Sequence, residues 1–233
     1  MPHETPLPDW QANLIGVVHA LEDIGCQYAF IAAAELEADP GRLDGYRALV
    51  LPLATCISDD VAQTVRAFAQ RGGVVIADGR PGLLTGNGGL REPRPLDELF
   101  GVQSPAGIEA FKAHPQPAAL ALAGEPVEAF VLETGLTLAG GATEYTVGET
   151  PCLVTHAFGN GHAVLLNVPF STVTALRTEK RERTLLDPLA RYLALAGGAP
   201  SALLAVYGKP ARCIEHTLFV DGKGRYVALQ QDI

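Results

Sequence analysis

The clearest pattern of apolar and polar positions lies between Arg47 and Gly82. Ala48–Pro52 is a short unbroken apolar run, as expected of a strand buried on both faces. Ser58 suits the cap of a following helix, and Asp59 and Asp60 suit the positive end of its dipole. Val61, Val65 and Phe68, flanked by Ala62 and Ala69, recur at helical spacing. Gly72-Gly73 then stops the helix, and Val74–Ala77 forms a second apolar run closed by Asp78-Gly79. Two buried strands joined by one helix predict a right-handed crossover in a parallel sheet. In such sheets functional groups gather at the carboxyl ends of the strands, here Pro52–Ile57 and Asp78–Gly82.

The rest of the chain can be read outward from this unit. Residues 1–8 carry three prolines and no periodic pattern, which predicts a tail. Trp10, Leu14, Val17, Val18 and Leu21 predict an amphipathic helix ending at Gly25. Gln27–Ala32 is a candidate strand, and Ala33–Tyr46 a polar loop with a short helical turn. Gly79–Arg94 is a loop long enough to need a reason, and Pro95–Phe100 suits a turn or two of helix. Between Gly101 and Gly148 the period changes. Ile108–Ala113, Ala118–Ala123 and Val127–Leu132 are short, β-leaning and punctuated by Pro or Gly, predicting an antiparallel insertion at the sheet's rim. Cys152–Phe158 and His162–Val168 flank Gly159-Asn160-Gly161, a hairpin signal. Leu185, Leu186, Leu189, Leu193 and Ala196 mark a late helix. Beyond Pro200, Leu203–Val206, Arg212–Val220 and Arg225–Gln230 predict a short β appendage. The expected division is therefore an α/β domain over 1–199 and the start of a small β-domain over 200–233.

Composition narrows the partners. Of 233 residues 48% are hydrophobic and 18% charged, enough apolar surface for a packed core. The formal net charge is −9 with no block of lysine or arginine, which argues against nucleic acid or an anionic membrane as partner. No apolar run approaches membrane-spanning length, and MPHETPLPDW lacks the features of a signal peptide, so a cytoplasmic location is expected. Cys26, Cys56, Cys152 and Cys213 are scattered without a C-x-x-C pair, which predicts reduced thiols rather than a disulfide frame or zinc site.

Each candidate for chemistry also has a plainer reading. Sheets of this type include the class I glutamine amidotransferases, whose nucleophilic cysteine sits on a sharp turn after a strand within G-x-C-x-G. The cognate turn here is Ala77-Asp78-Gly79-Arg80, which holds no thiol. The late strand Ala163–Val168 runs into Pro169-Phe170-Ser171, where the histidine base would be expected and is missing. Cys56, just ahead of the helix capped by Ser58, is the remaining thiol candidate; the plainer reading is a small apolar residue in a loop. Asp78 suits either an acid–base role or a cap on the N–H groups of the following glycine turn, with Arg80 as ion-pair partner; the cap is the expectation. His156 and His162 are expected to face each other across the hairpin, without the third ligand a metal requires. Gly86-Asn87-Gly88-Gly89 lacks the residues of a phosphate loop. Glu133, Glu144 and Glu149 could supply a carboxylate pair for glycoside hydrolysis, but solvent-facing positions are expected.

LVLPLATCISDD, followed by AFAQRGGVVIADGRPGLL and PLDELFGV, resembles the amidotransferase-like middle domain of family 42 bacterial β-galactosidases and related large glycoside hydrolases, the β-galactosidase trimerisation domain. GNGHAVLLNVPFS matches the family's glycine hairpin and the strand after it, and IEHTLFVDGKGRYVALQQD looks like the opening of the small β-domain that follows in those enzymes. The resemblance spans about Trp10 to Asp232. It implies a class I glutamine amidotransferase-like (flavodoxin-like) three-layer sandwich with a mainly parallel sheet. It also implies a module without its own active site, because the family's catalytic glutamates lie on a separate barrel. No catalytic, cofactor-binding or metal-binding residue is carried over, and no cofactor is expected. The implied role is self-association, as a trimer, or packing against a glycoside hydrolase barrel. The family places a strand before the first helix, for which residues 1–8 offer no candidate. Two other readings stay open: a stand-alone amidotransferase-like hydrolase using Cys56 or Asp78, and a sugar-binding domain using Gly79–Arg94 with Trp10 or Tyr145 as a stacking surface.

Overall fold

The structure, a computed structural model, describes residues 10–23, 26–107, 111–122, 125–171, 205–206, 209–210, 214–221 and 224–231. Helix α1 (Trp10–Asp23) and the short α2 (Ala33–Ala38) lead, through a 3-10 turn at Pro40–Leu43, into strand β1 (Ala48–Leu51). Helix α3 (Asp59–Gln70) connects it to β2 (Val74–Asp78), followed by α4 (Asp97–Phe100) and β3 (Val102–Gln103). A hairpin of β4 (Phe111–Leu122) and β5 (Glu125–Glu133) precedes β6 (Thr137–Leu138), β7 (Ala142–Val147), β8 (Thr150–Phe158) and β9 (Gly161–Leu166). The described tail holds β10 (Ala205–Val206), β11 (Lys209–Pro210), β12 (Ile214–Asp221) and β13 (Gly224–Gln231) as two antiparallel pairs.

The central sheet has the order β1-β2-β9-β8-β7. β1, β2 and β9 run parallel, with Ala48 beside Val74 and Val74 beside His162, whereas β8 and β7 add antiparallel strands. Alternation along the strands sends side chains to two cores. Val74, Ile76, Val164 and Leu166 pack with Val17, Ala20 and Leu21 of α1. Val75, Ala77, Ala163 and Leu165 pack with Val61, Val65 and Phe68 of α3. One helix layer on each face of a mixed sheet gives the three-layer α/β sandwich. As its pattern predicts, α3 starts with the Ser58 hydroxyl accepting from Val61 N–H at 3.3 Å, and Asp59 and Asp60 occupy its first turn.

Three expectations change. Gln27–Ala32 forms no strand; residues 26–32 run without ladder pairing, because β1 pairs only with β2. Of the segments expected at Ile108–Ala113 and Ala118–Ala123, the described parts, 111–113 and 118–122, belong to one long strand, β4, whose register against β5 shifts between Ala113 and Ala118. Pro115 and Pro117 fall in that gap and have no N–H for the ladder. The buried face of α1 is Asn13, Gly16, Val17, Ala20 and Leu21, whereas Trp10 is 63% exposed. The helix expected around Leu185–Ala196 lies outside the described residues.

Gly16 is what lets α1 approach the sheet's carboxyl end. A Cβ there would sit 2.2 Å from the Phe170 carbonyl oxygen and 2.6 Å from its carbon, backbone atoms that cannot simply swing away. Alanine is the better helix former by about 1 kcal/mol, but forced overpacking costs roughly 1–3 kcal/mol. At 2.2 Å the clash wins, so Gly16→Ala should lower stability by about 2 kcal/mol, read as a lower urea midpoint at unchanged m-value.

Candidate functional site

The carboxyl ends of β1, β2 and β9 converge where folds of this type place their chemistry. Asp78, the last residue of β2, is fully buried. Its Oδ1 accepts from the Leu53 N–H at 2.6 Å. Its Oδ2 accepts from the Phe170 N–H at 2.7 Å and from Asn13 Nδ2 at 2.9 Å. Asn13 in turn accepts from the Ser171 N–H at 3.0 Å. One carboxylate thus joins α1, the turn after β1, β2 and the segment after β9. The expected cap on the following glycine turn is replaced by these longer-range bonds, because Gly79 N–H instead donates to the Leu166 carbonyl at 3.0 Å. Burial pushes the Asp78 carboxyl up to about 6, against the donors from Leu53, Phe170 and Asn13 that hold its ionised form.

A second buried polar cluster sits beside the first. Arg94 grips Glu133 in a two-bond fork, Nη1 to Oε2 at 2.8 Å and Nη2 to Oε1 at 2.6 Å. Arg80 Nε lies 3.4 Å from the same Oε1, so Arg80 pairs with Glu133 rather than with Asp78. All three side chains are at least nine-tenths buried. Burial lowers the Arg80 guanidinium to about 10; Glu133 opposes the shift and Arg94 adds to it. Glu133, expected at the surface, is 1% exposed because its neighbours neutralise it there, while Glu144 and Glu149 do face solvent. Asn167 copies a strand pairing: its Oδ1 accepts from Glu133 N–H at 2.9 Å and its Nδ2 donates to the Glu133 carbonyl at 2.9 Å. A further bond from Nδ2 reaches the Pro151 carbonyl at 3.0 Å. The end of the β4–β5 hairpin is thereby fastened to the sheet. Asp97, which accepts from the Ser104 N–H and hydroxyl, has its carboxyl raised chiefly by burial.

The other candidates are dispersed. Cys56 is exposed, forms a parallel bridge with Leu84, and makes no hydrogen bond to a histidine among the described residues. His156 and His162 do not face each other. His156 is opposite Ala163 and His162 opposite Ala157, one position out of step, so they emerge on opposite faces. The His156 Nδ1 lies 3.0 Å from the Leu99 carbonyl oxygen, and His162 is exposed. The loop 79–94 has a structural reason: Arg80–Leu83 is buried, Gly82 and Leu84 bond to the chain at Ala54 and Thr55, and Arg91 reaches the Ile57 carbonyl at 2.7 Å and pairs with Asp59. A cavity of about 390 Å³ lies instead at the amino end of β2, lined by residues including Tyr46, Arg47, Phe68 and Arg71. No group of three or more His, Cys, Asp or Glu side chains suited to a metal occurs among the described residues. Sequence reasoning overlooked Asn13, Arg94 and Asn167. Two signals were available, an asparagine on the apolar face of α1 and another interrupting the apolar run LLNVPF.

A catalyst of this fold would place a reactive group where Asp78 is locked. The model of the β-galactosidase trimerisation domain matches residues 29–194. The chain belongs to that family. Solved structures of family 42 β-galactosidases share the fold. Gan42B from G. stearothermophilus superposes with TM-score 0.76 at 13% identity, covering 99% of this chain and 32% of that enzyme. The β-galactosidase from Bacillus circulans sp. alkalophilus gives 0.67 at 15%, covering 96% and 32%. That from Halorubrum lacusprofundi gives 0.64 at 21%, covering 84% and 27%. The chain therefore spans about a third of the length of these enzymes. No curated protein matches it. The trimerisation domain is by its description a module of self-association within a glycoside hydrolase. Among the described residues no helix is long and apolar enough to cross a membrane.

Two outcomes follow from the buried groups. Glu133→Gln leaves two buried guanidinium groups without their counter-charge and should cost about 3–5 kcal/mol in urea unfolding. Asp78 binds a proton more tightly folded than unfolded, whose carboxyl sits at 3.8. Its contribution is complete below that value and fades as pH rises through about 6, a loss of about 3 kcal/mol. The stability advantage of the wild-type chain over Asp78→Asn should accordingly shrink between pH 4 and 6.5 and stay constant above it.

Proposed function

We propose that this chain is a non-catalytic assembly module of a β-galactosidase-like glycoside hydrolase, which associates as a trimer in the cytoplasm and engages neither nucleic acid nor membrane. The observation that carries the reading is the state of the sheet's carboxyl end. Asp78 there spends its carboxylate on Leu53, Phe170 and Asn13, and is fully buried. A nucleophile or base must reach a substrate, and this one is enclosed by its own fold. The adjoining Arg80, Arg94 and Glu133 are likewise consumed in fastening the β4–β5 hairpin. The net charge of −9 supports the exclusion of polyanionic partners. Residues 1–199 serve as the assembly domain and 200–233 as the beginning of a small β-domain, with the β12–β13 hairpin as its core.

The mass of the native chain at micromolar concentration tests the reading. Sedimentation should give three times the 24.5 kDa of one chain. A monomer across that range overturns the trimer.

A further inference from the structure

The cavity at the amino end of β2 lies at the opposite end of that strand from Asp78, and two turns wall it. In the first, Tyr46 N–H donates to the Leu43 carbonyl at 3.2 Å, and Gly45, with φ of 88°, takes the left-handed position. The second closes α3. Arg71 N–H donates to the Ala67 carbonyl at 3.2 Å, Gly72 N–H to that of Ala69 at 2.9 Å and Gly73 N–H to that of Phe68 at 3.1 Å. Leu43 and Phe68 are buried between them, and a Cβ at Gly73 would meet the Phe68 ring at 2.3 Å. Both turns are held by their own backbone bonds, so the side chains they carry start from fixed positions.

The charges on these turns do not cancel. Arg47 stands two positions before Leu49, so alternation puts it on the α3 side of the sheet, the side of Phe68. Among the described residues its guanidinium has no carboxylate within ion-pair distance. Arg71 Nη2 lies 3.8 Å from Asp44 Oδ1, beyond hydrogen-bond reach, and both side chains are more than half exposed. The cavity is thus bordered by two cationic residues and one anionic residue, in a chain whose formal net charge is −9. Tyr46, 45% exposed, adds an aromatic ring. The volume, about 390 Å³, falls within the range of about 300–1,000 Å³ common for small-molecule sites.

We propose that this cavity binds a small organic acid of monosaccharide size, one carboxylate on a polyhydroxylated body, as in a uronic or aldonic acid. Arg47 offers the planar fork that takes both oxygens of a carboxylate, and Arg71 is a second donor. Asp44 accepts from the hydroxyl groups and opposes a second negative charge, which makes a phosphate monoester the poorer ligand. The half-exposed Tyr46 ring gives its face to the C–H bonds of the body. The site lies away from the Asp78 end of the sheet, and its binding does not depend on the number of subunits.

The probe is galacturonate, titrated into the full chain at neutral pH to tens of millimolar and followed by amide NMR shifts. The amides of Gly45, Arg47, Gly72 and Gly73 should move with a Kd of about 1 mM, while those of Asp78 and Phe170 stay in place. Galactose, which lacks the carboxylate, and acetate, which lacks the body, should each bind about tenfold more weakly or worse. Galactose 6-phosphate should also bind more weakly than galacturonate. Arg47→Gln should weaken galacturonate about tenfold. Because Arg47 is exposed, the free variant should keep the wild-type Tm. No shifts at these amides, shifts centred elsewhere, or Arg47→Gln binding as tightly as wild type overturns the proposal. Galactose, acetate or galactose 6-phosphate matching galacturonate overturns it as well, by removing the need for a carboxylate, for a sugar body, or for a single charge. Sedimentation reads the trimer separately, so the two proposals can fail independently.

Discussion

The carboxylate of Asp78 is the constraint on which the arrangement of this domain depends. It sits at the end of β2, every residue of which is buried, and each partner it holds comes from a different part of the chain. Burying an anion is costly unless donors replace water, and here the replacements are two backbone N–H groups and an asparagine amide. Because those donors belong to α1, to the turn after β1 and to the segment after β9, satisfying the charge also fixes where these elements meet. Gly16 belongs to the same arrangement, since α1 can present Asn13 only if its backbone comes close to Phe170.

The Arg80–Glu133–Arg94 cluster extends this logic to the insertion. A hairpin projecting from a sheet needs an anchor, and Glu133 supplies it twice. Its side chain is held by two guanidinium groups and its backbone by the amide of Asn167. Ion pairs this deep add little net stability compared with apolar packing, but they tolerate only one geometry. The proposed role, presenting a fixed surface to other subunits, has use for such rigidity. The strand ends where folds of this type place their chemistry hold, in this chain, carboxylates bonded to other parts of the fold.

The central unit was legible because its signals are local. The apolar runs at Ala48–Pro52 and Val74–Ala77, the Ser58 cap and the period of Val61, Val65 and Phe68 each act within a few residues of chain, and they appear as β1 (Ala48–Leu51), β2 (Val74–Asp78) and the capped helix α3. The Gly159-Asn160 turn between β8 and β9 is similarly local. The candidate site was legible in part. Asp78 and Arg80 stood out by position, but their partners did not, because Asn13 lies 65 residues from Asp78 and Glu133 lies 39 from Arg94. The pairing of His156 with His162 failed by a single register step, which alternation along a strand turns into opposite faces.

What the amino-acid order determined by itself, then, is the central strand–helix–strand unit, the hairpin at Gly159-Asn160 and the absence of a thiol and an imidazole at the turns where an amidotransferase keeps them. Those depend on residue type, spacing and short-range sterics. Only the tertiary structure decided that Glu133 would be buried rather than solvated, that Asp78 would bind distant donors rather than its own turn, and that residues 26–32 would not pair as a strand. Each of those outcomes depends on which partner the fold brings within hydrogen-bond reach. A carboxylate's environment and a strand's identity are properties of neighbours, and neighbours distant in sequence are chosen by packing.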